Sequence, residues 1–150
     1  MHIDTGQSEE HKMKRYIKSA IQQPNLENYD ELSQIALNTY NIRWIERCLQ
    51  SEDYWIRNVL ARNINLPREV FHELAEDDYK SVRAYLAENP AIPEDLLQKL
   101  ANDNAPSVRF AVTHNPNVPN YMLDQLSRDY DSYVARHAKI VLNNRETTML

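Results

Sequence analysis

Residues 82–103 read VRAYLAENPAIPEDLLQKLAND, and the same pattern occurs twice more in the chain. Residues 56–77 read IRNVLARNINLPREVFHELAED, and residues 108–129 read VRFAVTHNPNVPNYMLDQLSRD. The three segments align without a gap at a spacing of 26 residues, and they share arginine, asparagine, proline, leucine and aspartate at matching positions. A repeat of this length is typical of stacked supersecondary units.

Each unit predicts two short helices joined by a turn. Val82, Tyr85 and Leu86 follow the i, i+3, i+4 spacing of a helix with one buried side. Asn89 precedes a proline, which ends the helix there, and asparagine can supply a left-handed cap. We expect Pro93 to occupy the first position of the second helix, where its missing N–H costs nothing. The predicted buried faces of the second helices are Val70, Phe71 and Leu74 in one unit and Leu96, Leu97 and Leu100 in the next.

A two-helix unit of this size cannot bury its apolar stripe alone, so neighbouring units must stack. The sequence therefore predicts an all-α fold, a short right-handed α-solenoid of two-helix repeats with a helical N-terminal cap. The repeat array covers residues 53–145, with units starting near 53, 79, 105 and 131, and the fourth unit lacks the proline. Residues 8–52 are expected to form the N-terminal helical cap and a degenerate repeat. Residues 1–7 and 146–150 are expected to be disordered tails.

The pattern carried by residues 82–103 is V-R-x-x-hydrophobic-A-x-N-P-x-hydrophobic-P-x-x-x-L-x-x-L-A-x-D. It resembles the leucine-rich repeat variant family, and the resemblance extends over residues 53–129. The family implies an α-solenoid similar to HEAT and armadillo arrays. It also implies a scaffold without a single defining activity.

Composition narrows the function classes. One glycine in 150 residues is too few for phosphate-cradling loops or many tight β-turns. The net charge of −5, with eight Lys+Arg against twelve Asp+Glu in residues 53–129, argues against nucleic-acid binding, which requires basic groups. The same charge is compatible with a basic protein partner.

The N-terminus lacks the apolar stretch of a secretory signal, and no segment approaches the roughly 20 apolar residues that span a bilayer. Cys48 is the only cysteine and aligns with the buried Leu74, so we expect a buried apolar thiol and no disulfide. These features predict a cytoplasmic protein without a membrane segment. No cofactor is expected.

The aligned arginines have a structural interpretation. Asp77 precedes Arg83 by six residues, and Asp103 precedes Arg109 by six residues. This spacing favours a ladder of bridging charges along the stack over a phosphate site, because each cation has an anion nearby. The predicted structural ladder is Arg57, Arg83, Arg109, Asp77 and Asp103.

Positions that differ between units are the candidates for partner binding. On the first helices they form three rows: Trp55, Ser81, Ser107 and Tyr133; Asn58, Ala84, Phe110 and Arg136; and Arg62, Glu88 and His114. Aromatic and arginine side chains are enriched at binding hot spots. The partner-binding candidates are therefore Trp55, Asn58, Arg62, Phe110, His114, Tyr133 and Arg136. Trp55 and Phe110 can alternatively pack between units, and a polar row on the second helices (His72, Gln98, Asp124; Glu73, Lys99, Gln125) is a competing face.

No catalytic arrangement is apparent. The five histidines show no metal-ligand spacing, none pairs with Cys48, and nucleotide-binding motifs are impossible with Gly6 as the sole glycine. We therefore predict a non-enzymatic protein-interaction module. The alternatives are an immunity-type protein that neutralises a basic toxin and a HEAT-like nucleic-acid-binding protein. Apolar residues of the fourth unit, Val134, Ile140 and Val141, also suggest homodimerisation through the C-terminal unit.

Overall fold

A computed structural model describes residues 36–148, and this part of the chain is all-helical, without a β-strand. Residues 36–38 are helical, and eight further helices follow. They are α1 (Ile42–Leu49), α2 (Tyr54–Ala61), α3 (Arg68–Ala75), α4 (Lys80–Glu88), α5 (Glu94–Leu100), α6 (Pro106–Val112), α7 (Asn120–Leu126) and α8 (Ser132–Thr148). The predicted tail 1–7 and most of the predicted N-terminal cap lie outside the described residues.

The first helix of each unit ends within three residues of the aligned asparagine. In α4, Val82 and Leu86 are buried, and Asn89 follows the last helical residue. Asn89 has φ −67° and ψ 121°, which is extended backbone, because the following proline excludes the helical region. The predicted left-handed cap is therefore wrong, and no non-glycine residue between 36 and 148 has a positive φ.

Each second helix begins one residue later than the sequence predicts. Pro67, Pro93 and Pro119 are the N-cap residues in non-helical backbone, and the helices start at the residue that follows. Proline has no side-chain acceptor to cap the helix, and acidic residues in the first turn, such as Glu69 and Glu94, favour the helix dipole instead. The predicted apolar faces are buried as expected.

One continuous core runs through the described helices, from Ala36 to Ala138. The first helices α2, α4 and α6 pack side by side, and α4 touches its two neighbours more extensively than the second helices α3 and α5 touch each other. Leu60 and Leu86 of the first helices and Leu74 and Leu100 of the second helices are fully buried. Truncating such a leucine to alanine costs about 2–5 kcal/mol of stability.

Helix α1 begins after Asn41, whose side chain accepts the N–H of Arg43. Trp44, Ile45 and Cys48 form its buried face. Burial raises the pKa of the Cys48 thiol to about 11. The cysteine is thus a buried apolar residue of the core.

The C-terminal helix α8 differs from the expected fourth unit. It is one helix of 17 residues that packs against α6 and α7, with no second helix after it in the described chain. The predicted tail from residue 146 is wrong for 146–148, which are helical. Arg145 fastens this end by donating to the Val118 carbonyl and the Asn120 side chain at 2.7 and 2.8 Å. Val134 is buried within its own chain and unavailable to a second copy, whereas Ile140 is exposed.

Among residues 36–148, even the 17-residue helix α8 lacks the apolar length needed to cross a bilayer.

Candidate interaction face

Each aligned arginine bonds the carboxylate of an aspartate in its own unit and reaches the preceding unit through a backbone carbonyl. Arg83 donates through Nε and Nη2 to the two carboxylate oxygens of Asp103 at 2.7 and 3.0 Å. Its Nη1 donates to the backbone carbonyl of Asp77 at 2.6 Å. The carboxylate partner therefore lies 20 residues after the arginine, while the aspartate six residues before it contributes its carbonyl oxygen. The same arrangement joins Arg57 to Asp77 and Ser51, and Arg109 to Asp129 and Asp103.

These pairs are shielded from water. The Arg109 and Asp129 side chains are 4% and 7% exposed. A hydrogen bond from Arg109 lowers the pKa of Asp129 below its ordinary range. Burial alone would raise the pKa of Asp103, but hydrogen bonds from Arg83 and the Ala105 N–H, with the arginine charges, lower it. The aligned arginines are committed to internal contacts and leave no open cationic site.

The aligned asparagines serve the same purpose. Asn89 Nδ2 donates to the carbonyl oxygens of Ala61 and Asn63 in the preceding unit at 2.8 and 2.9 Å, and its Oδ1 accepts the Ala91 N–H. Asn63 and Asn115 make the equivalent bonds. These side chains satisfy helix-terminal carbonyls that would otherwise be buried without a donor.

The first-helix face consists of positions 55 and 58 on α2, position 62 at its C-cap, and the residues 26, 52 and 78 further along the chain from each of them. Eleven of these twelve side chains are exposed or half-exposed. Trp55 is 44% exposed and Tyr133 is 68% exposed, whereas Phe110 is half-buried against the core. Arg62, His114 and Arg136 are exposed. Six of the seven predicted binding residues thus lie on an accessible surface.

Asn58 is the exception, because it is 3% exposed. Its Oδ1 has no hydrogen-bond partner among the described residues. Tyr85 lies 27 residues after Asn58 and is half-buried. The guanidinium of Arg62 lies over its ring, 5.5 Å from the ring centre. We attribute the burial of Asn58 to this ring by comparison with Ala84, the aligned residue of the next unit. The residue 27 positions after Ala84 is the small Ala111, and Ala84 is half-exposed. Asn58 therefore cannot contact a partner in this conformation.

Three rings meet where α6 and α8 pack. His114 and His137 stack with ring centres 4.2 Å apart and planes 14° apart, and Phe110 contacts both rings. The Thr113 hydroxyl donates to the Phe110 carbonyl at 2.6 Å, so its 2.7 Å contact with His137 Nδ1 requires the hydrogen on Nδ1. His114 Nδ1 donates to the same carbonyl at 3.1 Å. Burial, and to a smaller extent the charge of His114, lowers the pKa of His137.

The competing face on the second helices is tied together by polar contacts. Gln98 donates to Gln125, and Gln125 donates to Asn102, each at 3.0 Å. Lys99 pairs with Glu76, and Arg128 with Asp124. The variable polar side chains of this face largely bond one another. They offer few free groups to a partner.

Sequence reasoning missed several aromatic contacts. Tyr54 and Tyr79 stack with ring centres 4.6 Å apart, and both are exposed. Tyr130, 82% exposed, covers the guanidinium of Arg109 at 4.3 Å from the ring centre. These tyrosines are not aligned in the repeat, so the pattern carried no signal for them. The contact of His137 could have been predicted from the repeat. Arg62 contacts Tyr85, 23 residues later, and the aligned His114 contacts His137 at the same spacing.

The described residues hold no group of three or more His, Cys, Asp or Glu side chains arranged for a metal ion. The stacked histidines do not form a site of two ligands either, because nitrogen lone pairs lie in the ring plane and nearly parallel planes do not converge on one ion. An open polar depression lies around Asp77, Arg83, Lys99 and Asp103. Of its ionised groups, Asp77 pairs with Arg57, Arg83 with Asp103, and Lys99 with Glu76.

Comparisons with protein-family models, curated proteins and solved structures return no match.

Proposed function

We propose that this chain is a non-enzymatic protein–protein interaction module, built as a short right-handed α-solenoid of 26-residue two-helix repeats similar to leucine-rich repeat variant and HEAT-like arrays. The support is a division between aligned and variable residues. The aligned arginine–aspartate pairs join the two ends of each unit, and the aligned asparagines bond neighbouring units. The variable positions of the first helices are exposed and rich in aromatic and arginine side chains.

The first-helix face is the proposed binding surface. The first helices contact one another more extensively than the second helices do, which favours a curved array with the first helices on its inner side. A concave surface lets one partner segment touch several units at once. The exposed Trp55 and Tyr133 lie at the two ends of one row on this surface, with Phe110 in the neighbouring row. Large rings of this kind carry much of the energy of protein interfaces.

The alternative functions have less support. An immunity-type role rests on size and net charge, and no described contact adds to it. Nucleic-acid binding needs free basic groups, but Arg57, Arg83 and Arg109 are all bonded to carboxylates. A cytoplasmic location and homodimerisation through the exposed Ile140 also remain proposals.

The test is affinity capture from cells that make the protein, comparing the wild type with a Trp55→Ala, Tyr133→Ala variant. The matched control is Tyr40→Ala with Tyr121→Ala, which removes two exposed rings outside the face. We expect a protein that the wild type and control retain and the face variant loses, while circular dichroism shows all three folded. Equal capture by the face variant would move the site elsewhere. Retention of a nucleic acid or small ligand in place of a protein would refute the proposal.

A further inference from the structure

The charge of the first-helix face differs from that of the whole molecule. The chain carries a net charge of −5. The face carries two cations, Arg62 and Arg136, and one anion, Glu88. The exposed Lys80 lies beside the face at the start of α4. The acidic excess therefore lies on other surfaces, and the face presents more positive than negative groups.

The cations of this face have no carboxylate partners. Within residues 36–148, neither Arg62 nor Arg136 forms an ion pair. The arginines and lysine that do are Arg57, Arg68, Arg83, Lys99, Arg109 and Arg128, all outside the face. Arg43, Arg47 and Lys139, which lie off the face, likewise form no ion pair with a described residue.

Both face arginines are held by aromatic rings instead. The guanidinium of Arg62 lies 5.5 Å from the ring centre of Tyr85, and that of Arg136 lies 5.3 Å from the ring centre of Tyr133. A guanidinium over a ring keeps its N–H groups free at the edge and loses less side-chain freedom when it binds. Carboxylates match that donor edge, since two N–H groups can bond the two oxygens of one carboxylate.

We propose that the first-helix face binds an acidic peptide segment of a partner protein, with carboxylates on Arg62 and Arg136 and apolar side chains on Trp55 and Phe110. This inference rests on the proposed interaction function and specifies the partner. The net charge of the chain suggested a basic partner. The proposed partner segment is acidic instead, because the charge of the face is opposite in sign to the net charge. Glu88, which follows Arg62 in its row, disfavours further acidic residues at that point of the segment.

A nucleic acid is a poorer fit to the same surface. Affinity for a phosphate backbone grows with the number of phosphates neutralised. Two arginines and one lysine, offset by Glu88, neutralise few phosphates, and the rest of the chain repels them. Carboxylates spaced between apolar residues match this combination of cations and rings better.

The experiment is a selection from a displayed library of random 16-residue peptides, with the full-length chain as bait, followed by affinity measurement on the best peptide. We expect Asp and Glu, together with aromatic or leucine residues, to be enriched over the starting library. Arg62→Glu and Arg136→Glu should each weaken the best peptide roughly tenfold, the effect expected for one hydrogen-bonded charged pair. Arg68→Glu on α3 and Arg128→Glu in the turn after α7 are the matched controls and should leave its affinity unchanged.

The outcomes separate the two proposals. Selected peptides without acidic enrichment, or with unchanged affinity for both arginine variants, would refute the acidic partner while leaving the interaction module in place. A library that yields no binder would also refute the acidic segment, whereas the module itself is decided by the capture experiment. A 20-nucleotide single strand that competes with the peptide and binds more tightly would overturn the choice of a protein partner. Glu88→Gln should strengthen peptide binding, and the exposed Glu73→Gln should not.

Discussion

Arg109 and Arg136 have the same side chain and lie 27 residues apart, but their surroundings and contacts differ. Arg109 is buried, bonds both oxygens of Asp129 and donates to the carbonyl of Asp103. Arg136 is exposed and rests on the ring of Tyr133 without a carboxylate. The difference shows that position in the repeat, not residue type, decides whether a cation supports the fold or faces a partner.

The largest expected effect comes from breaking the buried pair. Arg109→Met should lower the free energy of unfolding by about 3–5 kcal/mol, because Asp129 would remain buried without its partner. Arg136→Met is the matched variant on the face and should cost about 1 kcal/mol or less, the value of an exposed cation–π contact. Urea unfolding followed by circular dichroism measures both. Equal losses would remove the distinction between the two positions.

The next effect concerns the asparagine that bridges units. Asn89→Ala removes the donors of two buried carbonyls, those of Ala61 and Asn63, and should cost about 2–4 kcal/mol. Asn117→Ala is the control, since exposed Asn117 makes one bond to the Pro90 carbonyl and should cost under about 1 kcal/mol. Amide exchange should accelerate at Ala91 in the first variant alone, because Asn89 accepts its N–H. An Asn89→Ala variant as stable as the control would contradict the bridging role.

The buried faces and the positions of the second helices could be predicted from the repeated sequence. The apolar spacing predicts the buried faces of α3 and α5, and the proline positions predict the second helices to within one residue. The partner of Arg83 could not be predicted, because Asp103 is distant in sequence and only the packing of the two helices of its own unit brings its carboxylate closer than that of Asp77. Side chains near in sequence are not always the ones that tertiary packing pairs.

The interaction face was predictable only in outline for a similar reason. Helical spacing places 55, 58 and 62 on one side of the first helix, and Trp55 and Arg62 are accessible there, although the sequence left open whether Trp55 packs between units. Whether Asn58 is open depends on which residue the next unit places against it. That residue is a property of the neighbour and not of α2, so the burial of Asn58 has no local signal.

A stabilising substitution should be possible at this position. Asn58→Leu keeps a similar volume and removes a buried oxygen without a donor, so we expect the free energy of unfolding to rise by about 1 kcal/mol. Asn58→Asp is the control, because it buries a charge at the same place and should destabilise the fold strongly. If Asn58→Leu instead weakened capture of a partner without loss of stability, Asn58 would belong to the binding surface after all.

The smallest expected effect is a change in how stability depends on pH, and it concerns the stacked histidines. Because the pKa of His137 in the folded chain lies below its ordinary value of about 6.5, the unfolded chain binds more protons as the pH falls past that value. His137 therefore stabilises the fold fully above that pH, and the contribution is lost as the pH falls towards the lowered pKa.

His137→Gln should make the melting temperature fall less steeply between pH 7 and pH 5, and the exposed His72→Gln should leave the slope unchanged. His114→Gln should reduce the slope in part, because it removes a charge that opposes protonation of His137 while the burial of His137 remains. A slope that His137→Gln does not alter would mean that the α6–α8 junction is insensitive to this proton.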